Sequence, residues 1–220
     1  MAFPLSCTVN PEILYNSLKN EALYGALCDS VCIPDGIGVE KTLVRMGAYS
    51  ERFPGVELGE ALLSAFSVRL GIIGGKTGVA ERAMKNLSQR YKSMIPAFAL
   101  HGYNISNEEF KETLAKSKPD VVFVCLGSPM QELFIAEMKS FSKGTLFLAL
   151  GGSVDIYAGD KRRAPKALRR LHLEWLYRML AEPKRIKRAP KLLFYMLKNK
   201  KNEKNHEKNS KIGKKREKTV

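Results

Sequence analysis

Few residues in this chain are of types that do covalent chemistry, and their spacing removes most of the usual options. The three histidines, His101, His172 and His206, lie far apart, and no HxxxH, HExxH or mixed Cys/His ligand spacing occurs. There is no Asp-x-Asp pair either, so no recognisable motif encodes a metal clamp on a diphosphate. A phosphate would have to be held by arginine and lysine. Ser128 lacks the GxSxG setting of a nucleophile elbow, which leaves a hydrolase triad unsupported. Cys28 and Cys32 are too widely spaced for a CxxC redox pair, and with Cys7 and Cys125 they form no disulfide framework, so a reduced, cytosolic chain is expected. The run from Gly71 to Thr77 resembles a phosphate loop, but Leu70 stands where its first glycine belongs. It reads as a tight strand-to-helix turn, or as backbone N–H contact to a phosphate or sugar. Gly36-Ile37-Gly38 is no dinucleotide fingerprint, because Lys41 occupies the third glycine position. Asp35 follows a short apolar run and precedes Gly36. It is either an Asp-Gly turn residue or a general base aimed into a cleft.

The elements that must carry these residues alternate. Short apolar runs at 68–73, 95–100, 121–126 and 146–150 read as strands, and helical periodicity appears at 79–91, 108–116 and 132–140. Upstream, 6–9 and 31–33 read as shorter strands flanking a helix over 11–27. Apolar runs of this length between glycine-rich turns suit a parallel sheet covered on both faces, so the expected class is α/β, Rossmann-like and doubly wound. In such sheets ligands bind at the carboxyl ends of the strands. Here six strand ends carry glycine or small polar residues: Thr8 and Asn10, Asp35, 74–77, 101–103, 127–131 and 151–155. Together they predict one continuous cleft. Beyond Asp155, Arg163-Ala164-Pro165 leads into a helix expected over 166–180, with Leu168, Leu171, Trp175, Leu176, Met179 and Leu180 on one face.

Composition separates a body from a tail. Of the formal net charge of +15 on 220 residues, +12 falls within residues 184–220. The other 183 residues are nearly balanced, and 45% hydrophobic residues with 27% charged is ordinary for a globular chain. The longest apolar runs are far short of the roughly 20 residues that span a bilayer, and no signal peptide is visible at the start, so membrane contact would be peripheral. An apolar run at 192–197 precedes a Lys/Asn/Glu-rich segment, 198–220, expected to be disordered. A basic tail also raises the alternative of a nucleic-acid-binding protein, although it lacks interleaved aromatics. A P-loop-like nucleotide hydrolase is the weaker alternative, given the broken spacing.

The ordered set of motifs resembles the WecG/TagA/CpsF family of bacterial glycosyltransferases. The residues that carry the resemblance begin with Thr8-Val9-Asn10, Pro34 to Gly38, Arg52 to Gly55 and Gly74-Gly75-Lys76. They continue with His101-Gly102-Tyr103, Gly127 to Glu132, Gly151 to Asp155, Gly159 and Arg163 to Pro165, and end with Glu174 to Arg178 and Glu182 to Arg188. Each is weak alone; the order and gaps across residues 8–194 make the set specific. The resemblance implies an inverting, metal-independent transfer of an N-acetylmannosamine-type sugar from a UDP donor. The implied acceptor is a polyprenyl-diphosphate-linked GlcNAc at the cytoplasmic membrane face, in teichoic acid or surface polysaccharide synthesis. No cofactor is implied, and self-association is left open. The expected organisation is a catalytic α/β domain over 1–165, a membrane-facing appendage over 166–197 that completes the site, and the tail.

Position and resemblance together make Asp35 the candidate base. The resemblance further implies that Arg178, Arg185 and Arg188 meet the charge developing on the departing diphosphate. Thr8, Asn10 and Gln131 would hold the donor sugar, Tyr103 and Asp155 the uridine, and Arg52 sugar or phosphate. The family usually has a strand and helix ahead of its Thr-x-Asn motif, whereas this chain starts almost at it. Glu57 stands where the family commonly has Asp, and Met130 where it commonly has Lys.

Overall fold

A computed structural model describes residues 5–103, 105–141, 144–171 and 173–181. Six strands, β1 (Leu5–Val9), β2 (Ser30–Pro34), β3 (Arg69–Gly74), β4 (Ile95–Leu100), β5 (Val121–Cys125) and β6 (Leu146–Ala149), form one sheet in the order β2-β1-β6-β5-β3-β4, with every pairing parallel. The helices among the described residues are α1 (Pro11–Ser17), α2 (Glu21–Cys28), α3 (Ile37–Arg45), α4 (Gly55–Ala65), α5 (Val79–Arg90), α6 (Asn107–Ser117), α7 (Met130–Met138), α8 (Ser153–Tyr157), α9 (Lys166–Arg170) and α10 (Glu174–Ala181).

The central strands are apolar on both sides because both sides are covered. Along β5, Val121, Phe123 and Cys125 join one core with α4, α5 and α8, while Val122 and Val124 join the other with α1, α2, α6 and α7. Neighbouring strands β1 and β6 are followed by helices on opposite faces: Ile13 of α1 packs in the second core, Val154 and Tyr157 of α8 in the first. That divergence opens a crevice above the strand ends, the topological switch point where α/β sheets bind ligands.

The expected α/β class and all six strands are present. Three expectations about helices are corrected. The helix expected over 11–27 is two, because the Asn20 carboxamide accepts the Leu23 N–H (3.0 Å) and caps a new helix after a break. The helix expected over 166–180 is also two. The Leu173 N–H turns back to the Leu168 carbonyl (2.9 Å), and Glu174 is buried beside Arg163 (3.7 Å). Its apolar positions therefore do not form one buried face: Leu171 and Leu180 are exposed and Trp175 and Leu176 more than a third so. Helices α3, α4 and α8 had no counterpart in the sequence reading. Glycines dilute the helical signal of α4, and the five residues of α8 are too few for a periodicity. The apolar run 192–197, the tail 198–220, Arg185 and Arg188 lie outside the described residues.

Two glycines give opposite tests of this packing. Gly59 on α4 lies against the Phe123 ring and the Tyr157 hydroxyl, which donates to the Val56 carbonyl (2.8 Å). Gly59→Val should cost about 1–3 kcal/mol by overpacking. Gly25 on α2 is exposed, and an added Cβ meets no atom within 4 Å, so Gly25→Ala should stabilise by about 0.5–1 kcal/mol. Urea unfolding of the two variants checks both signs.

Candidate active site

A cleft of about 930 Å³ runs over the carboxyl ends of all six strands. From β2 to β4 it crosses five strand spacings, roughly 24 Å. Asp35 lies at one edge and Tyr103 at the other, with Thr8, Asn10, Asp155 and Gln131 between them in the lining.

At the Asp35 edge the backbone is fixed from two directions. The Asp35 N–H donates to the Val9 carbonyl (2.8 Å), and the Phe53 N–H donates to the Pro34 carbonyl (2.7 Å). Asp35 is half-buried, and Gly36 behind it opens α3. On β1, the Thr8 hydroxyl is buried and donates to the Ala149 carbonyl (2.7 Å), tying β1 to β6 across the crevice. Asn10 caps α1, its Oδ1 accepting the N–H groups of Glu12 (2.9 Å) and Ile13 (3.1 Å). That cap uses only the carbonyl end of the carboxamide; the NH2 end takes no part in it.

The floor is built where β5 and β6 turn into α7 and α8. The Gln131 N–H donates to the Gly127 carbonyl (2.9 Å), seating the side chain under the cleft, where it is 2% exposed. Gln131 Oε1 accepts the Gly151 N–H (3.0 Å), and Gln131 Nε2 donates to Glu132 Oε1 (2.8 Å). Asp155 follows on α8 and pairs with Lys161 (2.8 Å). At the far edge, Gly74 has φ +140°, and a Cβ there would collide with the Cys125 carbonyl, so only glycine lets β3 turn this close to β5. The Gly102 N–H donates to the Gly75 carbonyl (2.9 Å), holding the β3 and β4 turns together beside Tyr103, which is 59% exposed. Gly71, by contrast, is buried within β3 against the Phe98 ring. The glycine-rich run is thus a strand followed by a tight turn, of which Gly75 and Lys76 reach the cleft.

Not every candidate converges here. Arg52 is absent from the lining; its guanidinium donates to the Arg169 carbonyl (3.4 Å) and its backbone N–H to Glu40 (3.1 Å). Arg178 lies on α10 without a described side chain, and Arg185 and Arg188 follow it beyond the described residues. The anchor of α9 and α10 is described, however. Glu57 on α4 accepts from Arg163 (2.8 Å) and Arg169 (3.1 Å), and Arg163 also faces the buried Glu174 (3.7 Å). The network fastens both helices to the body and brings Tyr177 into the lining.

The sequence reading missed Glu12 and Asn16, which line the cleft one helical turn apart on α1, and Lys161, Arg162 and Tyr177. The i, i+4 spacing behind an Asn-Pro cap was the available signal for the first two. The two buried cysteines are poor nucleophiles: burial pushes the thiol of Cys125, in the cleft lining, up to about 12 and the Cys7 thiol up to about 12. No three His, Cys, Asp or Glu side chains cluster as a metal site among the described residues.

A family model described as the glycosyl transferase WecG/TagA/CpsF family matches residues 4–207. The chain is 33% identical over 205 residues to a Bacillus subtilis (strain 168) protein, covering 90% of this chain and 80% of that one. It is 34% identical over 198 residues to a Staphylococcus aureus (strain NCTC 8325 / PS 47) protein, covering 87% and 77%. Both carry the name N-acetylglucosaminyldiphosphoundecaprenol N-acetyl-beta-D-mannosaminyltransferase.

Proposed function

The chain belongs to the WecG/TagA/CpsF family of glycosyl transferases, and from that premise we propose that it moves an N-acetylmannosamine-type sugar from a UDP donor to a polyprenyl-diphosphate-linked GlcNAc. The observation that carries this reading is the order of groups along one cleft: a carboxylate at one edge, polar side chains over the switch point, and an exposed tyrosine at the other edge. The names of the two relatives supply the acceptor and the sugar.

In this reading the donor lies along the strand ends. Uridine sits toward Tyr103 and Asp155, and the sugar over Thr8, Asn10 and Gln131. The acceptor enters at the Asp35 edge. Its hydroxyl oxygen bonds to the anomeric carbon as its proton passes to the Asp35 carboxylate. The bond from that carbon to the β-phosphate oxygen breaks on the opposite side, and UDP departs with inversion at the sugar. The departing diphosphate needs fixed positive charge. Lys76, Lys161 and Arg162 are in the cleft lining, and Arg178, Arg185 and Arg188 are proposed to close over the diphosphate from the C-terminal side. Arg52, held on α9, acts in this scheme only through the seating of that helix.

No helix among the described residues is long and apolar enough to cross a membrane. The exposed Leu171, Trp175, Leu176 and Leu180, followed in sequence by basic residues, support a peripheral seat on the anionic inner leaflet. The product is expected to feed teichoic acid or related surface polysaccharide synthesis.

The test is a screen of UDP-sugars against a soluble lipid-diphosphate-GlcNAc analogue, run with and without EDTA. UDP-N-acetylmannosamine should be the preferred donor, with turnover unchanged by EDTA. No turnover of any UDP-sugar would reject the reading. Turnover lost with EDTA and restored by Mg²⁺ or Mn²⁺ would replace the cationic side chains with a metal.

A further inference from the structure

Glu132 is 1% exposed, beneath the cleft rather than in it, and its only described hydrogen bond is the one it accepts from Gln131 Nε2 (2.8 Å). Its other oxygen, Oε2, is buried with no hydrogen-bond partner among the described residues. A carboxylate placed this way costs stability, and an apolar residue of similar volume would fill the space more favourably. Packing therefore does not account for it, and what it does for Gln131 does.

The Gln131 side chain is a carboxamide with an acceptor end and a donor end, and the two ends meet opposite demands. The Gly151 N–H requires an oxygen, and the Glu132 carboxylate requires an N–H. Rotated by half a turn, the amide would set its NH2 against the Gly151 N–H and its oxygen against the carboxylate, two repulsive contacts in place of two bonds. Glu132 thus fixes the amide orientation, and the amide in turn fixes Gly151. That glycine has φ +55° and starts the turn into α8, which carries Asp155. The chain Glu132–Gln131–Gly151 joins the loop after β5 to the loop after β6 under the middle of the cleft.

We propose that Glu132 is a positioning residue for donor binding, acting through the Gln131 amide to hold the Gly151 turn in the shape that receives the UDP-sugar. The proposal rests on the donor reading above. Because the turn is held alike before and during transfer, its loosening should act on donor KM more than on kcat.

The experiment is a double-mutant cycle on the full chain, read as donor KM and kcat with thermal unfolding in parallel. Glu132→Met should raise donor KM about tenfold, the scale of one charge-assisted hydrogen bond, with kcat within about threefold and a modest fall in thermal stability, because the buried Gln131 Nε2 loses its acceptor. Glu132→Gln, which still offers an acceptor oxygen, should recover most of the KM. In a Gln131→Met background the Glu132→Met change should have no further effect on KM, since the group it acts through is gone. Unchanged KM in Glu132→Met, failure of Glu132→Gln to rescue, or simple additivity of the two methionine substitutions would each overturn the proposal. A wild-type chain that turns over no UDP-sugar would instead sink the donor reading. Turnover by wild type beside an indifferent Glu132→Met would sink this proposal alone.

Discussion

Asp35→Asn should lower turnover by roughly 10²–10⁴-fold, the range for loss of a general base, with UDP binding nearly unchanged. The substitution keeps the shape of the side chain and removes its basicity. The backbone bonds that place residue 35, its N–H to the Val9 carbonyl and Phe53 to the Pro34 carbonyl, do not involve the carboxylate. Those two backbone bonds should persist in the variant, and the loss should lie in kcat. UDP affinity should hold because Asp35 is at the β2 edge, five strand spacings from the Tyr103 edge assigned to uridine. Steady-state kinetics with UDP titration calorimetry on the same sample checks both halves. Wild-type turnover in the variant would remove Asp35 from the chemistry, and a matching loss of UDP affinity would mean that it binds donor rather than activates acceptor.

Truncation after Leu180 is the second large effect expected. Arg185 and Arg188 are removed, while Glu174 and Tyr177 remain, so the Glu57–Arg163–Glu174 anchor that fastens α10 to the body is kept. A fold that persists without activity, beside an active chain lacking only 199–220, would place the missing group within residues 181–198, which include both arginines. Turnover on a soluble acceptor should fall by at least about 10²-fold, the scale of losing one fixed group that stabilises transition-state charge. Deleting only residues 199–220 should leave that turnover intact and weaken binding to anionic vesicles, since each basic residue near the leaflet contributes on the order of 1 kcal/mol. If the longer truncation keeps full activity on the soluble acceptor, the C-terminal arginines have no catalytic part. The cleft's own Lys76, Lys161 and Arg162 would then carry the diphosphate.

What was legible in the sequence follows from which signals are local. Both-face burial makes a strand such as Val121–Cys125 apolar at every position, so the sheet could be read without its order. The cleft could be anticipated because parallel strands all end on one side, placing Asp35, Asn10 and Tyr103 along a common edge. The order β2-β1-β6-β5-β3-β4 could not, because it depends on which strands pair across more than a hundred residues. The same distance hid the ion network: Glu57 reads as a surface acid on α4 until Arg163 and Arg169 meet it. Arg52 shows the same limit, since its guanidinium meets the Arg169 carbonyl, a partner more than a hundred residues away that no motif announces. Glu132 was visible only as a motif letter, because its burial and its bond to Gln131 are properties of the folded floor.

A carboxylate that activates the acceptor for direct displacement predicts inversion at the sugar, whereas an Asp35 that itself attacked the anomeric carbon would give retention through two displacements. The measurement is the anomeric configuration of the newly formed glycosidic bond, read by NMR from the one-bond C1–H1 coupling of product made with UDP-N-acetylmannosamine and the soluble acceptor. The configuration should be opposite to that of the donor, as a single in-line displacement requires. A product that keeps the donor configuration would contradict the account, since it would demand a second displacement or a same-face attack that a base at the β2 edge does not provide.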